Sequence, residues 1–300
     1  MTEIPENYIE FLYWIKEKTE SFWNKTSENS SNSLIGEEWI RGARWIGLTE
    51  NEIDKVEAKY SIQFMPEHRE FLKILHTIDR KEEIKYTENF EENAKIRIEK
   101  RSFFYNWMED EDIAARFQWP VETLLEDIVG VNSVWLKSWG PVPDSDEEKK
   151  KIFMKWYNEA PKLIPVTGHR FLVSDLHLKD RPILSLIGSD IIVYGWNFRH
   201  YLLHELEHYL NLNELVYDDQ DKCYYPENRK ELKEIYEFEW NNAQGRDIPY
   251  WKEMILLWTS GWSSFGLEYP HQDNAIVQPI MKTYTPEDIK NEQKLFNGRT

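Results

Sequence analysis

The run His204-Glu205-Leu206-Glu207-His208 satisfies the pattern H-E-x-x-H. On a helix this spacing sets two imidazoles one turn apart, where they can hold Zn²⁺ while the glutamate polarises a bound water. One reading is therefore a zinc-dependent hydrolase, with His204 and His208 as ligands and Glu205 as base. Helical phase, at ~100° per residue, argues against it. Phe198, Leu202, Leu206 and Tyr209 fall on one side, whereas His200, His204, Glu207, His208 and Asn211 fall on the opposite, polar side, with Glu205 near the apolar edge. A zincin helix turns its ligands into a covered cleft; these histidines are expected to face water or a covering C-terminal segment. Spacing identifies no third ligand, although Glu231 and Glu234 are available. The expectation is no metal and no cofactor, with the zinc hydrolase as the alternative.

The other chemically suggestive groups are weaker. Asp218-Asp219-Gln220-Asp221 has the acidity of a calcium loop but lacks the glycine an EF-hand turn needs. Counting from Asp219, Lys230 stands where the closing glutamate belongs, so a solvated acidic turn is expected. Cys223 has no cysteine partner, and its acidic surroundings disfavour a thiolate. Ser174-Asp175 lies near His169 and His177, but no nucleophile-elbow glycines frame a serine. His169-Arg170 has two readings. The pair could meet a partner's carboxylate at a sheet end, or Arg170 could pair with an internal carboxylate such as Asp190 while His169 bonds a turn carbonyl. Trp119, Trp135 and Trp139 are likewise either core residues or the aromatic anchors typical of protein interfaces.

Composition narrows the class. The 300 residues contain 37 basic and 54 acidic side chains, a net charge of −17. A protein that grips phosphate backbones carries the opposite excess, so direct nucleic-acid binding is not expected, whereas a basic protein partner would be steered toward such a surface. Fourteen tryptophans and a 41% hydrophobic content are ample for a core. A single cysteine permits no internal disulfide. The first six residues are acidic where a signal peptide would be basic, and no apolar run approaches the ~20 residues of a membrane span. The expected location is the cytoplasm; oligomeric state is not legible.

The elements that must position these groups follow from periodicity. Tyr8 to Trp23 reads as an amphipathic helix and Thr26 to Ser33 as a polar linker. Thr49-Glu50-Asn51-Glu52 has the form of a capping box, and Pro66 sits where a second helix would begin. Ile84 to Tyr105 suggests strands or a hairpin, Val121 to Ile128 a helix, Val131 to Leu136 a strand and Asp144 to Tyr157 a helix whose lysine run is a solvated face. Short apolar segments at 163–166, 170–173, 183–187 and 191–194, punctuated by Gly168, Pro182 and Gly188, read as strands. Helices are expected over Asn197 to Asn211, Arg229 to Asn242 and Tyr250 to Trp258, followed by irregular chain to Thr300. Helices, then strands, then helices indicate an α+β fold.

Two blocks carry a family resemblance. The first is Trp45-Ile46-Gly47-Leu48-Thr49 through Glu52, Glu57 and Tyr60, then Pro66-Glu67-His68-Arg69-Glu70-Phe71-Leu72. The second contains Trp139-Gly140-Pro141-Val142-Pro143, Leu163-Ile164-Pro165-Val166-Thr167-Gly168-His169-Arg170 and Asp190 to Gly195, with the helix bearing Phe198 and Leu202. Together they resemble the SUKH superfamily, whose yeast founder regulates cell-wall synthesis and whose bacterial members include toxin-immunity proteins. The resemblance covers roughly Trp39 to Leu210. It departs at Lys179-Asp180-Arg181-Pro182, where the bacterial subgroup has Gly-Asn before proline, and fades after Tyr217.

The resemblance implies an α+β fold, with a mixed or antiparallel sheet backed by helices, and no catalytic residues. The expected organisation is an N-terminal helix and linker (1–35), a SUKH-like core (36–212) and a C-terminal helical extension packed on the core (213–300). The implied function is non-enzymatic protein binding, as an immunity protein that neutralises a cognate, possibly basic, toxin domain by occlusion. A regulatory scaffold of the same fold without a toxin is the further alternative. Trp119, Trp135, Trp139, His169 and Arg170 are the candidate partner-binding residues.

Overall fold

The computed structural model describes residues 4–25, 37–87, 96–130, 132–243 and 245–267. Its centre is an antiparallel meander of four strands, β5 (Lys162–Thr167), β6 (Arg170–Ser174), β7 (Ile183–Ile187) and β8 (Asp190–Gly195), hydrogen-bonded in chain order. These strands read as almost unbroken apolar runs because both faces of the sheet are covered. Ile164, Val166, Leu172 and Ile183 join one hydrophobic core, and Leu163, Phe171, Val173, Leu184, Leu186 and Ile191 join another. The fold is α+β.

The first core is closed by α1 (Tyr8–Lys25), α2 (Glu50–Tyr60), α3 (Pro66–Leu75) and α6 (Phe198–Glu205). Before α2, β1 (Trp45–Ile46) pairs with β2 (Thr77–Ile78). The capping box is formed: Glu52 N–H donates to Thr49 Oγ1 at 3.3 Å, and Thr49 N–H donates to Glu52 Oε2 at 2.7 Å. Pro66 opens α3, where its missing N–H leaves no helical bond unmade. Gly47 is required by close approach, since a Cβ there would lie 1.9 Å from the Lys73 carbonyl oxygen.

The second core is closed by the later part of α4 (Asp110–Val129), by α5 (Asp146–Glu159), and by α8 (Trp251–Ile255) and α9 (Thr259–Trp262). α4 passes from one core to the other, with Ile113 in the first and Leu124 and Ile128 in the second. Asp127 ties it to the β7–β8 turn, accepting from Ser189 N at 2.6 Å and Ser189 Oγ at 2.7 Å.

Several local expectations are corrected. The helix expected from Val121 begins at Asp110 and runs through Pro120, because an acidic first turn starts it and burial on both cores offsets the lost bond. The strand expected over Val131 to Leu136 does not form; residues 132–136 are irregular, leading into a 3₁₀ turn at Lys137–Trp139. The helix expected to run to Asn211 stops at Glu205, and Asn211 ends the following turns with φ 54°. The stretch before the last helices contains a hairpin, β9 (Asn213–Asp218) and β10 (Cys223–Asn228), ahead of α7 (Lys230–Ala243). The strands suggested near Ile84 do pair, as β3 (Lys81–Thr87) and β4 (Ile96–Ser102). The linker at Thr26 to Ser33 and the chain beyond residue 267 lie outside the described residues. Among the described residues no helix is long and apolar enough to cross a membrane.

Candidate functional site

The H-E-x-x-H residues are separated by the end of α6. His204 lies flat on Tyr194, with ring centroids 4.2 Å apart and 17° between planes, and its Nδ1 is 3.4 Å from the Tyr194 carbonyl. His208, beyond the helix, meets the Phe22 ring edge-to-face at 5.3 Å. Glu205 turns toward Arg170, with Oε2 3.7 Å from Nε. Among the described residues no group of three or more His, Cys, Asp or Glu is placed to hold a metal ion.

Glu205 instead belongs to a polar cluster between the sheet and α6. Arg170 on β6 and Ser185 on β7 are cross-strand partners, and Tyr194 of β8 lies close to Arg170; Tyr201 and His204 pack on Tyr194, and Glu205 faces Arg170. Arg170 Nη1 donates to Ser185 Oγ at 2.8 Å, and its guanidinium lies 3.7 Å from the Tyr194 ring centroid. Arg170 Nε, Glu205 Oε2 and the Tyr201 hydroxyl find no hydrogen-bond partner. Burial pushes the Glu205 carboxyl above its ordinary range, with Arg170 opposing, and burial pushes the Tyr201 phenol up. Arg170 thus has an internal carboxylate, as one sequence reading expected, but it is Glu205; Asp190 instead accepts from Ser260 Oγ. His169 lies at the β5–β6 turn, where burial and the neighbouring Arg170 charge lower its pKa.

The three tryptophans have different settings. Trp135 is buried and donates its indole N–H to the Gly140 carbonyl at 2.8 Å. Trp119 stacks on Phe171 of the sheet, with centroids 5.9 Å apart. Trp139 is half-buried and lines an open groove between α5 and the segment leading into α8.

That groove has a volume of about 860 Å³. Its aromatic wall is made by Trp139, Trp156 and Tyr250; Trp139 and Trp156 meet at 5.5 Å and 72°, and Trp156 and Tyr250 at 6.3 Å and 61°. Ile248 and Leu256 supply buried apolar surface, and Lys137, Lys155 and Lys252 balance Glu159, Asp247 and Glu253 around it. Tyr250 is the centre of a γ-turn, with φ 67° and ψ −51°, and Trp251 N–H donates to the Pro249 carbonyl at 2.8 Å. This conformation is rare and strained for a residue with a side chain, and such strain concentrates at functional positions. The turn presents a 42% exposed tyrosine at the groove mouth. Sequence reasoning found Trp139 but missed Trp156 and Tyr250. The aromatic spacing in α5 carried a signal for Trp156; nothing local announced the γ-turn.

No protein-family model, no curated protein and no solved structure matches the chain.

Proposed function

We propose that the chain is a non-enzymatic protein-binding protein of the SUKH type, acting as an immunity protein that neutralises a toxin domain by covering it. The observation that carries the binding reading is the groove walled by Trp139, Trp156 and Tyr250, where half-buried Trp139 and exposed Tyr250 stand beside buried Trp156, Ile248 and Leu256. Interface hot spots have this form: large rigid side chains around a recess that excludes water. The net charge of −17 supports a basic partner, because it speeds encounter and disfavours acidic competitors.

Neutralisation is by occlusion. Groove residues desolvate one part of the toxin surface while the body of the chain blocks access to the toxin's site. Slow dissociation is the functional requirement, since released toxin is harmful. The sandwich of Arg170, Tyr194 and His204 supports the sheet beneath α6 and takes no direct part.

Co-expression with a toxin domain encoded beside this chain tests the proposal. Growth is restored by the wild-type chain and not by the folded Trp139→Ala/Tyr250→Ala variant. Absence of protection and of any complex would remove the immunity reading and favour a scaffold of the same fold. Stoichiometric zinc lost in His204→Ala would favour the hydrolase.

A further inference from the structure

Three buried polar atoms at the seam between α6 and the sheet have no hydrogen-bond partner within the protein: Arg170 Nε, Glu205 Oε2 and the Tyr201 hydroxyl. A buried polar group left unpaired is costly, and folded proteins satisfy such groups from the chain or from solvent. The three are neighbours. Tyr201 and Glu205 stand four residues apart on α6 and so share one face of the helix. Glu205 Oε2 lies 3.7 Å from Arg170 Nε. The Arg170 guanidinium lies 3.7 Å from the centre of the Tyr194 ring, and the Tyr201 ring packs on the same tyrosine at 6.2 Å.

Spacing decides what joins them. A direct bond between guanidinium and carboxylate is ~2.7–2.9 Å long, so 3.7 Å leaves this pair unbonded. Arg170 is held where it is: its Nη1 donates to Ser185 Oγ at 2.8 Å, and its guanidinium rests on Tyr194, which stacks in turn on His204. Polar atoms farther apart than ~3.5 Å are commonly bridged by water. One water at ~2.8 Å from each atom spans 3.7 Å with its oxygen off the line between them. Charge rules out an ion, since an anion would meet Glu205 and a cation would meet Arg170. A small neutral molecule that both donates and accepts is required. Water accepts from Arg170 Nε–H, donates to Glu205 Oε2, and keeps one O–H and one lone pair for the Tyr201 hydroxyl. Three protein partners are typical of an internal water.

We infer that Arg170 Nε, Glu205 Oε2 and the Tyr201 hydroxyl together bind one internal water, which ties the end of α6 to β6. This stands apart from the groove and from the identity of any partner. A crystal structure of the full chain at atomic resolution, with water-to-protein NOE measurements in solution, tests it. The expected result is one ordered water within hydrogen-bond distance of all three atoms, with Arg170 Nε and Glu205 Oε2 still not bonded to each other. In solution the Arg170 Nε–H should show an NOE to a slowly exchanging water. Glu205→Leu, which fills the space with apolar atoms, should abolish that NOE. Tyr201→Phe, which keeps the ring and removes one partner, should weaken it and provides the comparison if the leucine variant does not fold. A direct Arg170–Glu205 bond with no water between them would overturn the inference. So would a Tyr201 hydroxyl bonded elsewhere in the protein, or an NOE unchanged in the folded variants.

Discussion

At the scale of single residues, two buried histidines make stability depend on pH. His68 is fully buried among Phe64, Phe71, Trp107 and Phe198, neither ring nitrogen has a partner, and burial lowers its pKa to about 3. His76 accepts from the Trp107 amide through Nε2 at 2.8 Å, and burial lowers its pKa to about 4. Both are neutral in the folded chain at a pH where unfolded histidine, with a pKa near 6.5, takes up protons. Their contribution is complete above that value and is lost as pH falls, down to about 4 for His76 and about 3 for His68. The histidine contribution to the slope approaches about 2.7 kcal/mol per pH unit when both sites differ by a full proton. Urea titrations between these pH values should show a declining midpoint, and His68→Phe should flatten the decline.

Arg170 and Glu205 give a second prediction at this scale. Glu205→Ala removes the counter-charge of a largely buried guanidinium and is expected to cost about 2 kcal/mol, with Glu205→Gln costing less. Chemical denaturation measures both. Tyr250 separates stability from binding: Tyr250→Gly relieves the γ-turn strain, leaving stability unchanged or raised by about 1 kcal/mol, while partner affinity falls. Equal losses in both would show that the tyrosine serves only packing.

At the scale of elements, Thr49→Ala should lower stability by about 1 kcal/mol by removing the α2 cap. Gly47→Ala should cost more, because its Cβ would collide with the backbone at Lys73 and not with a side chain that can turn away. Thermal melts of the two variants check that order. These features were legible because they are local: capping, proline at a helix start, and short apolar strands all declare themselves within a few residues. The helix from Asp110 was obscured because Pro120 is a breaker by local rules and is tolerated through contacts distant in sequence. The β9–β10 hairpin was missed because exposed apolar side chains stand on both of its faces, Leu215, Tyr217 and Tyr224 on one and Val216 and Tyr225 on the other, without a buried stripe. The H-E-x-x-H match was set aside on helical phase; its spacing further presumes a helix through His208, whereas α6 ends at Glu205. The groove was legible only through Trp139, since Trp156 and Tyr250 are brought together by the packing of α5 against the α8 region.

At the scale of the whole molecule, a sheet covered on both faces separates two hydrophobic cores. Around it, the first core fixes the polar row under α6, and the second core holds the groove wall. On the proposed reading, the net charge of −17 favours a basic partner, and salt should weaken association chiefly by slowing encounter. The most direct measurement of the proposed function is the dissociation constant of a complex between this chain, wild-type or Trp139→Ala, and a toxin domain encoded beside it. A tight one-to-one complex that the substitution weakens by about tenfold or more is the predicted result. No complex, or a complex indifferent to Trp139, would contradict the assignment of the groove as the binding site.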